Sequence, residues 1–125
     1  MDVTPLIPSG RQVIEGYGDG GFRISGERYV GAVLVLPQRT LAWPVSAIAE
    51  ATSESLLALN ADDSDVELLL IGCGRSMAFI DPELRAQVRE WGIVIDGMDT
   101  GAACRTYNVL LSEDRRVAAA LLPVT

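Results

Sequence analysis

Leu68, Leu69, Leu70 and Ile71 follow Val66 as an unbroken apolar run that ends in Gly72-Cys73-Gly74-Arg75-Ser76. A run apolar on both faces fits a parallel strand covered by helices on each side, where the in/out alternation of a half-exposed strand is lost. Glu67–Ser76 is therefore expected to hold the central strand and the loop beyond it. From Val66 onward the period of the apolar positions alternates between strand and helix. Asp81-Pro82 supplies an N-cap and a proline at the first helical position, Leu84, Val88 and Trp91 make one apolar face, and Gly92 stops that helix. Ile93-Val94-Ile95 reads as the next strand. A second helix is predicted over Thr100–Ser112 with Ala103, Tyr107, Leu110 and Leu111 inward, and Val117–Leu122 is expected to close the sheet. Two such crossovers in succession imply parallel strands with right-handed connections.

The N-terminal half has the shorter, alternating pattern of antiparallel strands. Gln12–Tyr17 reads as a first strand. Arg28–Leu36 reads as one strand interior to the sheet, with Val30, Ala32, Leu34 and Leu36 on one face and Tyr29, Val33 and Val35 on the other. Thr40–Val45 is its antiparallel partner, ending near Pro44. Ala47–Ala51 permits a short helix, and Thr52-Ser53 caps a helix ending near Asn60. The expected fold is α/β: a three-layer single domain over residues 1–125, with a mixed central sheet, an N-terminal antiparallel meander and a C-terminal βαβαβ unit. Thr4-Pro5 and Ile7-Pro8 make residues 1–11 an extended arm.

Composition narrows the chemistry more than the fold. A 125-residue chain with 49% hydrophobic residues can bury a core without disulfides or metals. Seventeen acids against ten bases give a net charge of −7, which disfavours nucleic acid and anionic lipid as partners. All ten bases are arginine, and there is neither lysine nor histidine. A Walker lysine, Schiff-base chemistry, Ser-His and Cys-His dyads and imidazole metal ligands are thus excluded. Met1–Pro5 has an acid and no apolar segment, so it does not resemble a signal or transit peptide. The longest apolar stretches fall far short of the roughly 20 residues that span a bilayer, and no membrane insertion is expected. The chain reads as soluble and cytoplasmic, with Cys73 and Cys104 reduced.

Several motifs offer themselves as sites. Gly16-Tyr17-Gly18-Asp19-Gly20-Gly21 matches a dinucleotide-binding fingerprint, but the alternating Phe22–Gly26 that follows is a strand where the fingerprint needs a helix, so a hairpin turn is expected. Asp62-Asp63-Ser64-Asp65 lacks the glycine and distal glutamate of an EF-hand and reads as a solvated turn. In βαβ units ligands gather beyond the carboxyl ends of the strands, where two loops, Gly72–Ser76 and Asp96–Thr100, are expected to converge. There Gly72, Gly74, Arg75, Asp99 and Thr100, with Arg105 one turn into the helix and the helix's first amides, suit a small carboxylate or phosphate. The alternative is an ordinary N-cap and turn. Gly101, Arg105, Asn108 and Ser112 fall on one polar stripe, and a mid-helix asparagine suggests a specific partner for Asn108. Cys104 in the first helical turn, facing Cys73, is a candidate redox pair with its thiol pKa lowered by the helix dipole, against small core filler. No metal site and no cofactor are expected, since only carboxylates could join the two thiols.

Leu70-Ile71-Gly72-Cys73-Gly74, Gly92-Ile93, Met98 through Glu113 and Arg116 through Pro123 together carry a resemblance, strongest in Ala103-Cys104-Arg105-Thr106-Tyr107-Asn108. With Gly16–Phe22 and Tyr29–Trp43 it covers nearly the whole chain. The sequence resembles a small α/β domain-of-unknown-function family that includes the mitochondrial NADH dehydrogenase (complex I) assembly factor 3 and the adipogenesis-associated protein. That resemblance implies a three-layer α/β domain and a non-catalytic partner protein, with no catalytic residues to carry over. The expected function is a non-enzymatic binding or assembly-factor-like protein, bacterial, aiding a respiratory complex through its sheet-edge loops and the Arg105/Asn108 face. The rival is a protein or enzyme that binds an anionic metabolite at the same loops. A homo-oligomer is compatible with either.

Overall fold

A computed structural model describes residues 10–125 of the chain; the Thr4-Pro5 and Ile7-Pro8 segment of the expected arm lies outside the described residues. A three-stranded antiparallel sheet is formed in the order β1 (Ile14–Gly18), β2 (Gly21–Ile24) and β3 (Glu27–Val30). Both of its turns are two-residue loops in which each central residue has positive φ: Asp19 at 52° and Gly20 at 78°, then Ser25 at 47° and Gly26 at 85°. Turns of that hand match the twist of the flanking strands. The glycine-rich fingerprint is thus a hairpin, as its alternating sequel predicts.

The second sheet has five strands, in the order β5 (Thr40–Ala42), β4 (Val33–Val35), β8 (Val117–Leu121), β6 (Leu68–Gly72) and β7 (Val94–Met98). β6 is parallel to β7 and β8, whereas β4 is antiparallel to β5 and β8. The parallel pairing of the βαβαβ unit is as expected, but β6 is not the middle strand and β8 does not close an edge. β8 lies at the centre, buried along its whole length. Ala118, Ala119 and Ala120 keep both of its faces shallow, so elements can pack closely on either side.

The single strand expected over Arg28–Leu36 is two strands in two different sheets. Gly31, at φ 86°, turns the chain out of the first sheet, and its N–H donates to the Gly20 oxygen at 2.9 Å. A residue with a Cβ is strained at that angle, so the glycine breaks an alternation that otherwise continues through it. Val30 is left 85% exposed as a result.

Alternate residues of the five strands enter separate cores. Leu34, Leu69, Ile71, Ala118 and Ala120 face α1 (Pro82–Arg89) and the segments before β6. Val33, Val35, Leu70, Val117, Ala119 and Leu121 face α2 (Thr100–Ser112), across which lie Ile14, Phe22 and Ile24 of the small sheet. α1 begins as predicted: Asp81 caps it by accepting from the Glu83 N–H at 2.9 Å, Pro82 is its first residue, and Leu84 and Val88 are buried. The helix expected to end near Asn60 is a 3-10 helix over Glu54–Asn60. Its two buried residues, Leu56 and Leu59, stand three apart, the spacing that a three-residue turn places on one side. Its N-terminal hydrogen bond comes from Thr52, whose Oγ1 accepts from the Ser55 N–H at 3.2 Å. Asp62–Asp65 is an exposed turn in which Asp65 pairs with Arg116 at 3.0 Å.

Candidate functional site

The carboxyl ends of β6, β7 and β8 meet the start of α2, and the geometry there is governed by one buried hydroxyl. Thr100 has no exposed surface. Its Oγ1 accepts from the Gly74 N–H at 2.9 Å and donates to the Leu122 carbonyl at 2.7 Å, while its own N–H donates to the Gly74 oxygen at 2.8 Å. Gly72 permits this approach: a Cβ there would stand 3.0 Å from the Thr100 Cα and 2.8 Å from a Leu121 methyl. The expected loop Asp96–Thr100 is shorter than predicted, because β7 continues to Met98. Ile71 pairs with Gly97 and Gly72 with Met98, and the Cys73 N–H then donates to the Met98 oxygen at 2.8 Å.

The expected convergence is real, but its donors are largely engaged. Tyr17, Gly18, Gly74, Arg75, Asp99 and Gly101, with the last two residues of the chain, line an open cleft of about 390 Å³. Asp99 caps α2, its Oδ1 accepting from the Ala102 N–H at 2.9 Å and its carbonyl from the Ala103 N–H at 2.9 Å. The Ala102 and Ala103 amides, among the first amides of the helix expected to face a ligand, are thereby satisfied within the protein. Arg75 donates through Nη2 to the backbone oxygen of Thr125 at 2.9 Å and to its hydroxyl at 3.3 Å. Arg105 is exposed and does not line the cleft. Tyr17 was not singled out by the sequence: its hydroxyl lies over Gly101, where an added Cβ would come within 2.5 Å of it. No local pattern links the first hairpin to the start of the last helix.

Asn108 does have the specific partner that its position mid-helix suggests, and the partner is backbone. Its Oδ1 accepts from the Ile14 N–H at 3.1 Å and its Nδ2 donates to the Ile14 carbonyl at 2.6 Å. The amide acts as a one-residue strand neighbour on the outer edge of β1, beside the irregularity between Ile14 and Gly16. One residue earlier, the buried Tyr107 hydroxyl donates to the Gln12 carbonyl at 2.9 Å. The Arg105/Asn108 face is therefore not a uniform binding stripe, since Asn108 fastens the small sheet to α2.

The two cysteines do not form a pair. Cys73 packs against the core on the α1 face and Cys104 lies in the core on the α2 face, with the five-stranded sheet between them. Burial pushes the Cys104 thiol up from 9.0 to about 12, with Arg105 opposing this and Asp99 adding to it. The shift runs opposite to the lowering expected from the helix start, because desolvation of the thiolate is its largest cause and exceeds the opposing effect of the Arg105 guanidinium. With the folded pKa above the unfolded one, the stabilisation from this thiol is complete below about pH 9 and lost as pH rises towards 12. Burial likewise pushes the Tyr107 phenol up. The unfolding free energy is expected to fall by up to about 1.4 kcal/mol per pH unit for each such proton, above about pH 9 for Cys104 and above about pH 10 for Tyr107. Denaturant unfolding across pH 8–11 checks this, and Cys104→Ala should make the decline shallower by one proton's worth.

One feature of the α1 face escaped sequence reasoning. Ile48, Ala51, Ile71, Ile80 and Leu84 surround a hollow of about 400 Å³ with Phe79 at its wall. The only local signal was an aromatic and a methionine in a segment with no helical or strand period, Met77–Phe79. Among the described residues no group of acids and cysteines is arranged to hold a metal ion, and no helix is long and apolar enough to cross a membrane.

A family model described as "Protein of unknown function (DUF498/DUF598)" matches residues 14–122, from the first residue of β1 to just past β8. The chain belongs to this family. DUF498/DUF598 relatives include the NADH dehydrogenase [ubiquinone] 1 alpha subcomplex assembly factor 3 of Xenopus tropicalis, 36% identical over 110 residues, covering 88% of this chain and 60% of that protein. The human protein of the same name is 30% identical over 110 residues, with the same coverage. An uncharacterised protein of Rhodobacter capsulatus is 39% identical over 116 residues, covering 93% of this chain and 88% of that one. The chain thus spans about 60% of the length of these assembly factors. Among solved structures, one described as an outer membrane protein from Bartonella henselae superposes with a TM-score of 0.84 at 38% identity, covering 96% of this chain and 100% of that one. A Bordetella pertussis protein described as a Mth938-like domain superposes at 0.79 with 29% identity, covering 98% and 92%. The mixed α/β fold, with its meander and βαβαβ unit, is that of these neighbours.

Proposed function

We propose that this protein is a non-enzymatic, assembly-factor-like binding protein that aids the building of a respiratory complex I in a bacterial host, working from the cytoplasm. The observation that carries the reading is the similarity over 88% of the chain to proteins named as complex I assembly factors. The site's geometry agrees with it. Thr100, Asp99 and Asn108 spend their polar atoms on loops, helix amides and a strand edge, and the Cys104 thiol is held in its neutral form. Those groups serve to hold a surface in shape, which is what a binding module needs.

Deleting the gene in its own host tests this. Membranes of the deletion strain are expected to lose most NADH:quinone oxidoreductase activity and to show incomplete forms of the complex on native gels, with both restored by the wild-type gene. An affinity-tagged chain should co-purify with subunits of the complex. Normal activity and normal assembly in the deletion strain would overturn the proposal.

A further inference from the structure

The hollow on the α1 face does not end where its apolar floor does. A second hollow of about 350 Å³ shares Ala51, Asp81 and Leu84 with it and runs on between Glu54 and Glu83, so the two form one groove. Its apolar walls rise into solvent. Phe79 is 69% exposed, and Met77, two residues before it, is 66% exposed. Aromatic and methionine side chains held out beside an apolar floor have the composition of an unpartnered anchor site. Leu57, also largely exposed, stands three residues after Glu54 in the 3-10 helix, a spacing that places both on one side of it.

Charge selects among possible occupants. Asp81, Glu54 and Glu83 line the groove, and Glu50 stands between its lining residues Ala49 and Ala51. None of these four carboxylates takes part in an ion pair among the described residues. Asp81 gives one oxygen to its helix cap and Glu50 one to the Ser46 N–H at 2.9 Å. Arg85, in the first turns of α1, forms no ion pair with these carboxylates among the described residues, and its Nη1 donates instead to the Ile95 carbonyl of β7 at 2.7 Å. A fatty acid or acidic lipid would bring a like charge to this rim. A compact neutral ligand would fill one hollow and leave the acids facing water. An elongated, positively charged, apolar-faced segment complements the length, floor and rim together.

We propose that this groove docks a basic amphipathic segment of a partner protein, with its apolar side chains against Phe79, Ile80 and Leu84 and its lysines or arginines against Glu54, Asp81 and Glu83. The inference rests on the reading of this chain as a protein-binding module and does not depend on the partner being respiratory.

The test uses the full chain and a fluorescein-labelled amphipathic peptide of leucine and lysine, roughly 14 residues long, followed by anisotropy. One saturable site is expected, weakened by salt. Glu54→Lys with Glu83→Lys should weaken binding by about tenfold or more, and Phe79→Ser by about tenfold, in line with lost charge pairs and a lost aromatic anchor. The altered side chains are exposed, so the variants should melt close to the wild type. Asp62→Lys with Asp63→Lys makes the same change of net charge at the turn before β6 and should leave binding within about twofold. Five results would overturn the proposal: no binding of the peptide, equal loss in that control pair, no loss in the groove variants, equal binding of a leucine/glutamate counterpart, or displacement of the peptide by dodecanoate. A deletion strain that loses complex I while the chain binds no such peptide would remove the groove proposal and leave the assembly role standing.

Discussion

Replacing Thr100 by valine is expected to lower the unfolding free energy by about 3 kcal/mol, from one unpaired buried acceptor and one unpaired part-buried donor at roughly 1–3 kcal/mol each. Valine has nearly the shape of threonine, so the packing around residue 100 is kept while the hydroxyl is lost. The Leu122 carbonyl would then face a methyl group where it is buried, and the Gly74 N–H would do so where it is part-buried. For a domain of this size the midpoint should fall by roughly 10 °C. Thr100→Ser keeps the hydroxyl and should cost only about 1 kcal/mol, the loss of one buried methyl. Thermal and denaturant unfolding of both variants decide the matter. A valine variant as stable as the serine variant would show that the clamp contributes nothing.

Asn108→Leu is expected to have a comparable but local effect. Its amide supplies both hydrogen bonds of Ile14 on the free edge of β1, and leucine would leave the pair unmade at a cost of about 2–3 kcal/mol. The small sheet also contacts α2 through Ile14, Phe22 and Ile24, so it should loosen without complete loss of the fold. Native-state hydrogen exchange should show amides of β1 to β3 losing about tenfold to a hundredfold protection while β6 and β8 keep theirs. Asn108→Asp should be at least as harmful, because a carboxylate oxygen replaces the donor facing the Ile14 carbonyl. Uniform loss of protection across both sheets would contradict this division.

The elements of the C-terminal half could be read from the chain because each carries its own local signature. α2 runs over Thr100–Ser112 and α1 starts at Asp81-Pro82, as the caps and apolar periods require. Strand order has no such signature. Val117–Leu122 is expected to close the sheet, whereas β8 lies at its centre and is buried along its whole length. The Arg28–Leu36 alternation likewise runs through Gly31 without a break, and only the backbone angle there assigns its halves to different sheets.

At the candidate site the same contrast holds residue by residue. Asp99 as an N-cap follows from its position before an apolar helix, and the structure bears out that ordinary reading over a free helix end. Asn108 was conspicuous in sequence, yet its partner, Ile14, lies near the other end of the chain. The direction of the Cys104 shift depends on whether neighbours exclude water, which the dipole argument from sequence does not contain.

The sequence by itself determined the α/β class, the places of the two α-helices, the hairpin at the glycine-rich stretch and, with neither lysine nor histidine among its 125 residues, which side-chain groups these residues can supply. These follow from local conformational preference and from which functional groups exist at all. Only the tertiary structure decided that β8 is central, that Thr100 and Asn108 spend their side chains on distant backbone, that the two thiols sit on opposite faces, and that Phe79 stands over an acid-rimmed groove. Each of those depends on residues brought together from far along the chain, and strand order, burial and charge proximity have no local sequence period.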